Sequence, residues 1–109
     1  MAVNPAIIEA QIESGLVYGI SAALYEQITI KGGEVQQANF DTYRVLRQQE
    51  MPDIHVKIMP SLKDPPSGIG EVGTPPIAPA IANAIAAATG KQLRHLPMTA
   101  ERVKAALKA

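Results

Sequence analysis

Cysteine and tryptophan are missing from this chain, only 4% of its residues are aromatic, and it carries two histidines and no net charge. Without cysteine it has no disulfide, no thiolate metal site and no iron–sulfur cluster of its own, and the compartment is left undecided. Two histidines do not make a metal site by themselves. Ten basic residues balance ten acidic ones, and no segment concentrates Lys or Arg as a nucleic-acid surface does, so a polyanion is not an expected partner. No apolar run approaches the roughly 18 residues of a membrane span, and the N-terminus lacks the basic-then-apolar layout of a secretion signal. The chain is expected to be soluble, with no direct membrane insertion. At 109 residues it is one domain at most. A unit of that size buries only about two thirds of the surface its unfolded form exposes, which makes a large enzyme cavity hard to enclose.

Small apolar side chains supply what the aromatics do not: 47% of the residues are hydrophobic, mostly Ala, Ile, Leu and Val, and such surfaces pack closely against other protein. Asn4-Pro5 reads as a helix start, with Asn4 as cap and Pro5 at the first helical position. Ile8, Ile12, Leu16, Ile20 and Leu24 then recur every four residues, predicting a long first helix. A second stripe, Gln11, Gly15 and Gly19, lies on one face of it. Each interior glycine costs about 1 kcal/mol relative to alanine, so something must come close there. Two readings stay open: another helix packed into glycine notches, or a ligand hydrogen-bonded by Gln11 over a cleared surface.

Further on, Tyr25–Ile30 and Val35–Ala38 bracket Lys31-Gly32-Gly33-Glu34, a hairpin pattern. Phe40 and Tyr43, among the polar groups Asn39, Asp41 and Thr42, are expected to anchor a loop to the core. Ile54, Val56 and Ile58 alternate with His55, Lys57 and Met59, the period of a half-buried strand with His55 on its wet face. Lys63-Asp64-Pro65-Pro66 is a stiff connector into Ser67–Ala80, the stretch richest in chemical content. There Gly68, Gly70 and Gly73 surround Glu71, the turn's single ionisable group, and are expected to give positive φ and close approach. Thr74 is placed to cap a helix with Pro75 at its first position, setting the carboxylate just before a helix N-terminus. Ile77–Thr89 continues as a helix of small residues closed by Gly90, with Asn83 in need of a partner if buried, and Thr99 caps a final helix to Lys108. The fold class is α+β, with two main helices, a β-hairpin plus one further strand, and a short C-terminal helix.

Four blocks together resemble one family: Asn4-Pro5; Gln11-Ile12-Glu13-Ser14-Gly15 through Gly19; Asn39-Phe40-Asp41-Thr42-Tyr43; and Gly68–Ala82 continuing to Asn83-Ala84-Ile85, Ala88-Thr89-Gly90-Lys91 and Leu96-Pro97. They are similar to the C-terminal end of the molybdenum-binding subunit of the xanthine oxidase and aldehyde oxidoreductase family, in the branch of the isoquinoline 1-oxidoreductase beta subunits and membrane-associated aldehyde dehydrogenases. The resemblance spans residues 1–109 as the C-terminal portion of a molybdenum cofactor-binding domain. It implies that Glu71, in the Gly-x-Gly-Glu turn, is the catalytic base, taking a proton from a hydroxide on molybdenum. It implies further that Gln11 and Gly70 contact the pterin, as molybdopterin cytosine dinucleotide, and that no metal ligand comes from this chain. Ser14 departs from the glycine usual at that position of the motif, while Gly15 keeps a notch.

The other cofactor-binding loops lie outside these 109 residues, so the remainder of the molybdenum subunit and an iron–sulfur subunit are the implied partners, and the lone chain is expected to be inactive. A glutamate carboxylate, ordinarily near pKa 4.3, becomes a useful base only when desolvated. The resemblance leaves the substrate open between aldehydes and N-heterocycles, and the compartment between bacterial cytoplasm and periplasm. The alternative is a non-catalytic module that self-associates as a homo-oligomer through its small-residue helices. A phosphate cradle is disfavoured, because Glu71 opposes an anion and the turn has no Lys or Arg.

Overall fold

The computed structural model describes residues 1–60 and 63–108. Its elements run in the order α1 (Pro5–Leu24), β1 (Ile30–Lys31), β2 (Glu34–Val35), a single 3₁₀ turn (Gln48–Glu50), α2 (Ile77–Thr89) and α3 (Ala100–Lys108). The first helix starts as its sequence dictates: the Asn4 side chain accepts from the Ile7 N–H at 3.2 Å, and Pro5 sits where a missing N–H costs nothing. After α1, the chain reverses through Gly32 and Gly33, both at positive φ (61° and 85°), and pairs Ile30 with Val35 and Lys31 with Glu34 in antiparallel register. Two residues at positive φ are what a tight hairpin turn requires. The hairpin is extended beyond the strands by the Thr29 carbonyl accepting from Gln36 N–H and by a Thr29–Gln37 side-chain pair.

Beyond the hairpin, a loop folds back onto the C-terminal end of α1 through polar contacts. The buried Ser21 hydroxyl accepts from Leu46 N–H at 2.9 Å. Tyr43 donates to Glu26 at 2.9 Å, a hydrogen bond that raises the phenol's pKa. Arg44 pairs with Glu50 and lies over the Tyr25 ring, 4.1 Å from its centroid. Tyr43 therefore anchors this loop, whereas Phe40 does not: it is 86% exposed, at the tip of a turn closed by Asn39 and Thr42. A turn that satisfies its own backbone needs no aromatic anchor, which is why the expected second anchor is absent.

Residues 54–58 keep the expected alternation, with Ile54, Val56 and Ile58 half-buried and His55 and Lys57 exposed. They pair with no strand among the described residues, so the further strand is an extended segment, because period alone supplies no partner for its backbone. Gly90 closes α2 in the left-handed conformation at φ 71°, and Thr99 caps α3 through Arg102 N–H, both as expected. Asn83 is exposed and makes no demand on the core.

The packing that holds these elements together is narrow. Its centre is the contact of α1 with α2, where the buried residues are Gly15, Gly19, Ala23 and Ile77. A second point of closure is Met98, buried, whose N–H donates to the Ala23 carbonyl at 2.7 Å and ties the segment before α3 to α1.

Two measurements follow from this packing. A Cβ at Gly19 would lie 2.7 Å from the Ile77 Cβ. Gly19→Ala is therefore expected to destabilise the chain in a urea titration by about 2 kcal/mol, overpacking outweighing the gain in helix propensity. The second concerns acid. Arg44, and after it the Arg47 N–H, hold the Glu50 carboxyl below its ordinary range. A depressed folded-state value means this stabilisation is complete above the unfolded value and is lost as pH falls through the folded one. The protection of the Arg47 amide, measured relative to its intrinsic exchange rate at each pH, should fall on acidification below the ordinary carboxylate range, and Glu50→Gln should remove that dependence.

Candidate functional site

The glycine turn is laid along one face of α1, and each residue of the Gln11–Gly15–Gly19 stripe meets a successive part of it. Gln11 Nε2 donates to the Gly70 carbonyl at 3.0 Å. One turn further, Gly73 and Gly15 face each other: a Cβ on Gly73 would stand 3.2 Å from the Ile12 carbonyl oxygen, and one on Gly15 would stand 3.3 Å from Gly73 Cα and Thr74 Oγ1. The Thr74 hydroxyl donates to the Gly15 carbonyl at 3.2 Å. Past it, Gly19 admits Ile77, the first residue of α2. Helix packing through glycine notches thus accounts for Gly15 and Gly19, and Gln11 holds the turn at the open end of the same stripe.

Two details differ from the expected geometry. Thr74 is not the cap of α2; its hydroxyl is committed to α1, the cap position is Pro76 without a side-chain hydrogen bond, and α2 starts at Ile77. A turn over residues 71–76, closed by Thr74 N–H to the Glu71 carbonyl at 3.1 Å and by Ile77 N–H to the Thr74 carbonyl at 3.3 Å, separates Glu71 from the helix end. Nor do Gly68, Gly70 and Gly73 adopt positive φ; the glycines that do are Gly32, Gly33 and Gly90. Gly73 is required for close approach, as its contacts show. Gly68 and Gly70 are different, since a Cβ on either would meet no atom of the described residues within 4 Å, so no packing among those residues accounts for them.

Glu71 is exposed, and its side chain makes no hydrogen bond or ion pair to another described residue. The site is therefore a free carboxylate on a backbone fixed at Gly70, Gly73 and Thr74, with the Gln11 amide adjacent. Among the described residues no three His, Cys, Asp or Glu side chains are grouped as metal ligands would be. The open faces of Gly68 and Gly70 and the exposed carboxylate fit one wall of a cofactor site, and the described residues supply no complete one. Sequence reasoning did not anticipate Thr74 and Ile77 as the residues that lock the turn; the four-residue spacing of the α1 glycines was the available signal, but it named no partner.

Residues 1–52, which contain Gln11 and α1, match the molybdopterin cofactor-binding domain family. The chain is 41% identical over 98 residues to the beta chain of the isoquinoline 1-oxidoreductase of Brevundimonas diminuta, covering 90% of this chain and 12% of that protein. It is 42% identical over 107 residues to a nicotinate dehydrogenase subunit of Pseudomonas putida, covering 98% of this chain and 9% of the relative. Among solved structures, Cu,Mo-CO dehydrogenase superposes with a TM-score of 0.78 at 26% identity, over 97% of this chain and 14% of the other. Over nearly its whole length the chain is similar to short segments of these much longer oxidoreductases. It spans about one tenth of the length of the two sequence relatives, and its α+β fold is that of a segment within the larger molybdenum-binding protein. No helix among the described residues is long and apolar enough to cross a membrane.

If Gln11 sets the turn, removing its amide should loosen residues 68–73 without unfolding α1. Gln11→Ala is expected to speed hydrogen exchange at the Thr74 amide about fivefold, the equivalent of one ordinary hydrogen bond near 1 kcal/mol. Unchanged exchange there, with the helix amides as internal reference, would remove Gln11 from this role.

Proposed function

We propose that this chain forms one wall of the reaction chamber of a molybdenum hydroxylase that oxidises an aldehyde or an N-heterocycle. In this reading residues 1–109 are the C-terminal portion of its molybdenum cofactor-binding domain. Glu71 is the catalytic base, and Gln11 and Gly70 face a molybdopterin cofactor in its cytosine dinucleotide form. The observation that carries the reading is the juxtaposition of Gln11 with Gly70, the residue next to Glu71, across 59 positions of sequence. It supports the reading because the resemblance implies cofactor contact for Gln11 and base catalysis for Glu71, and the hydrogen bond sets Gln11 against the residue next to Glu71.

The cofactor, when bound, supplies the oxidising equivalents and activates the water-derived oxygen. The chain's own residues have narrower tasks. Glu71 accepts a proton at its carboxylate, which general-base catalysis makes worth about 10² to 10⁴ in rate. Because that carboxylate is exposed in this chain, the desolvation that a useful base needs comes from polypeptide outside it. Gln11 spends one N–H on the Gly70 carbonyl, leaving its second N–H and its Oε1 for the cofactor. Gly68 and Gly70 let the turn's backbone lie against a large flat group, since a side chain at either would project into the open face. The remainder of the molybdenum subunit completes the chamber, and an iron–sulfur subunit takes the electrons, since this chain has no cysteine to bind such a cluster. By itself the chain is inactive.

The alternative, a non-catalytic self-associating module, draws on the same exposed surface, on which Tyr18 is 70% exposed in the middle of α1. Light scattering separates the two: a discrete oligomer without cofactor supports the module, and a monomer that binds the remaining subunit supports the enzyme segment. In the assembled enzyme, Glu71→Gln is expected to lower kcat by a factor of about 10² or more while molybdenum and pterin contents stay unchanged. Full turnover by that variant, or turnover by the 109-residue chain alone, would defeat the assignment.

A further inference from the structure

The charges of this chain balance in total but not along its length. Residues 1–90 hold five basic residues against nine acidic ones, and residues 91–109 hold five basic against one. The basic end also carries a groove. Between the segment after α2 and the face of α3 lies an open groove of about 560 Å³, with Leu93, Leu96 and Ala105 among its apolar lining and Arg94, His95 and Arg102 among its basic lining. Leu93 and Arg94 also border two smaller hollows against α2, so this short strap stands proud with recesses on both sides.

Both guanidiniums are held in place by neutral oxygens. Arg94 Nη2 donates to the Gln92 side-chain oxygen at 2.8 Å, and Arg102 Nη1 donates to the Pro97 carbonyl at 2.8 Å. Neither has a carboxylate partner among the described residues, where the single ion pair is Arg44 with Glu50. Glu101, the one acid of this end, sits in the first turn of α3, its carboxyl held low first by its own backbone N–H and then by the Thr99 hydroxyl. It answers the helix end and not the arginines. Arginine forks pre-positioned in this way suit carboxylates, because each retains parallel N–H donors in a fixed plane.

We infer that this groove docks an acidic, aliphatic segment of another polypeptide, its carboxylates on Arg94 and Arg102 and its aliphatic side chains on Leu93 and Leu96. A small free anion would satisfy the arginines but leave the apolar lining wet, and Leu96 is 57% exposed. A nucleic acid would find no aromatic platform, since residues 91–109 contain none. The occupant is polypeptide beyond residues 1–109, because the sequence relatives that the chain matches are about ten times longer. The inference does not depend on the role of Glu71.

A fluorescein-labelled peptide of alternating leucine and glutamate, titrated into the full chain and followed by anisotropy, tests this. Its leucine–glutamine counterpart should bind about tenfold more weakly, and added salt should weaken the acidic peptide alone. Arg94→Glu, an exposed change, and Leu96→Ser, at the apolar lining, should each reduce affinity severalfold with helicity by circular dichroism unaltered, and Glu71→Gln should leave it unchanged. In any assembly purified with this chain, Arg94→Glu should lower the salt concentration at which the chain dissociates. Equal binding of the two peptides, displacement by inorganic phosphate beyond that by chloride at matched ionic strength, concentration-dependent self-association abolished by Arg94→Glu, or an unshifted salt threshold would each overturn the inference.

Discussion

Everything in this molecule hangs from the approach of one backbone to another where α1 has no side chains. At Gly15 and Gly19 the helix surface is bare peptide, and Gly73, Thr74 and Ile77 come down onto it, so that a methyl group would be tight at Gly15 and would clash with Ile77 at Gly19. Dispersion falls off steeply with separation, so two backbones brought this close gain contact that larger side chains would have held apart. The geometry also fixes direction. Once Gly73 is against Gly15 and Ile77 against Gly19, the chain between Gly70 and Ile77 has one path along the helix, and Glu71 must leave that path toward solvent.

The consequence for chemistry is a rigid backbone under a free carboxylate. A side chain on a loop is held in place when the loop has a stiff support, and here the support is α1. The Gln11 amide, the Thr74 hydroxyl and the Gly15–Gly73 contact hold successive points of the turn. Among the described residues nothing covers Glu71, and nothing stands within 4 Å of where a Cβ on residue 68 or 70 would lie. Those features make sense together if the other half of the site belongs to other polypeptide.

Much of this was legible in the sequence because it rests on local rules. Asn4-Pro5, the paired glycines 32 and 33, Gly90 and Thr99 each announce a cap or turn whose geometry is set within a few residues, and each is found where expected. What was not legible depended on which distant segment arrives. The glycine notches in α1 could be read, but not that Thr74 would spend its hydroxyl on Gly15 and forgo the helix cap. The alternation over 54–58 was real, yet a strand also needs a neighbour, and none among the described residues comes. Phe40 was misjudged because its turn closes through Asn39 and Thr42 without help, whereas the ring of Tyr43 found Glu26.

The size of the missing neighbour can be argued from surface. A self-sufficient chain of 11.6 kDa exposes about 5,800 Å² and has a radius of gyration of about 13 Å; this one exposes 8408 Å² and measures 17.2 Å. The excess, roughly 2,600 Å², is several times the area one partner contributes to an ordinary transient interface and falls among the permanent ones. Its composition agrees: Phe40, Tyr18, Val3, Ile7 and Ile30 are all more than half exposed, a loss of apolar burial that a folded monomer of this length could not sustain from so small a core. That much uncovered apolar surface beside a small core is the surface of a piece that packs against further protein.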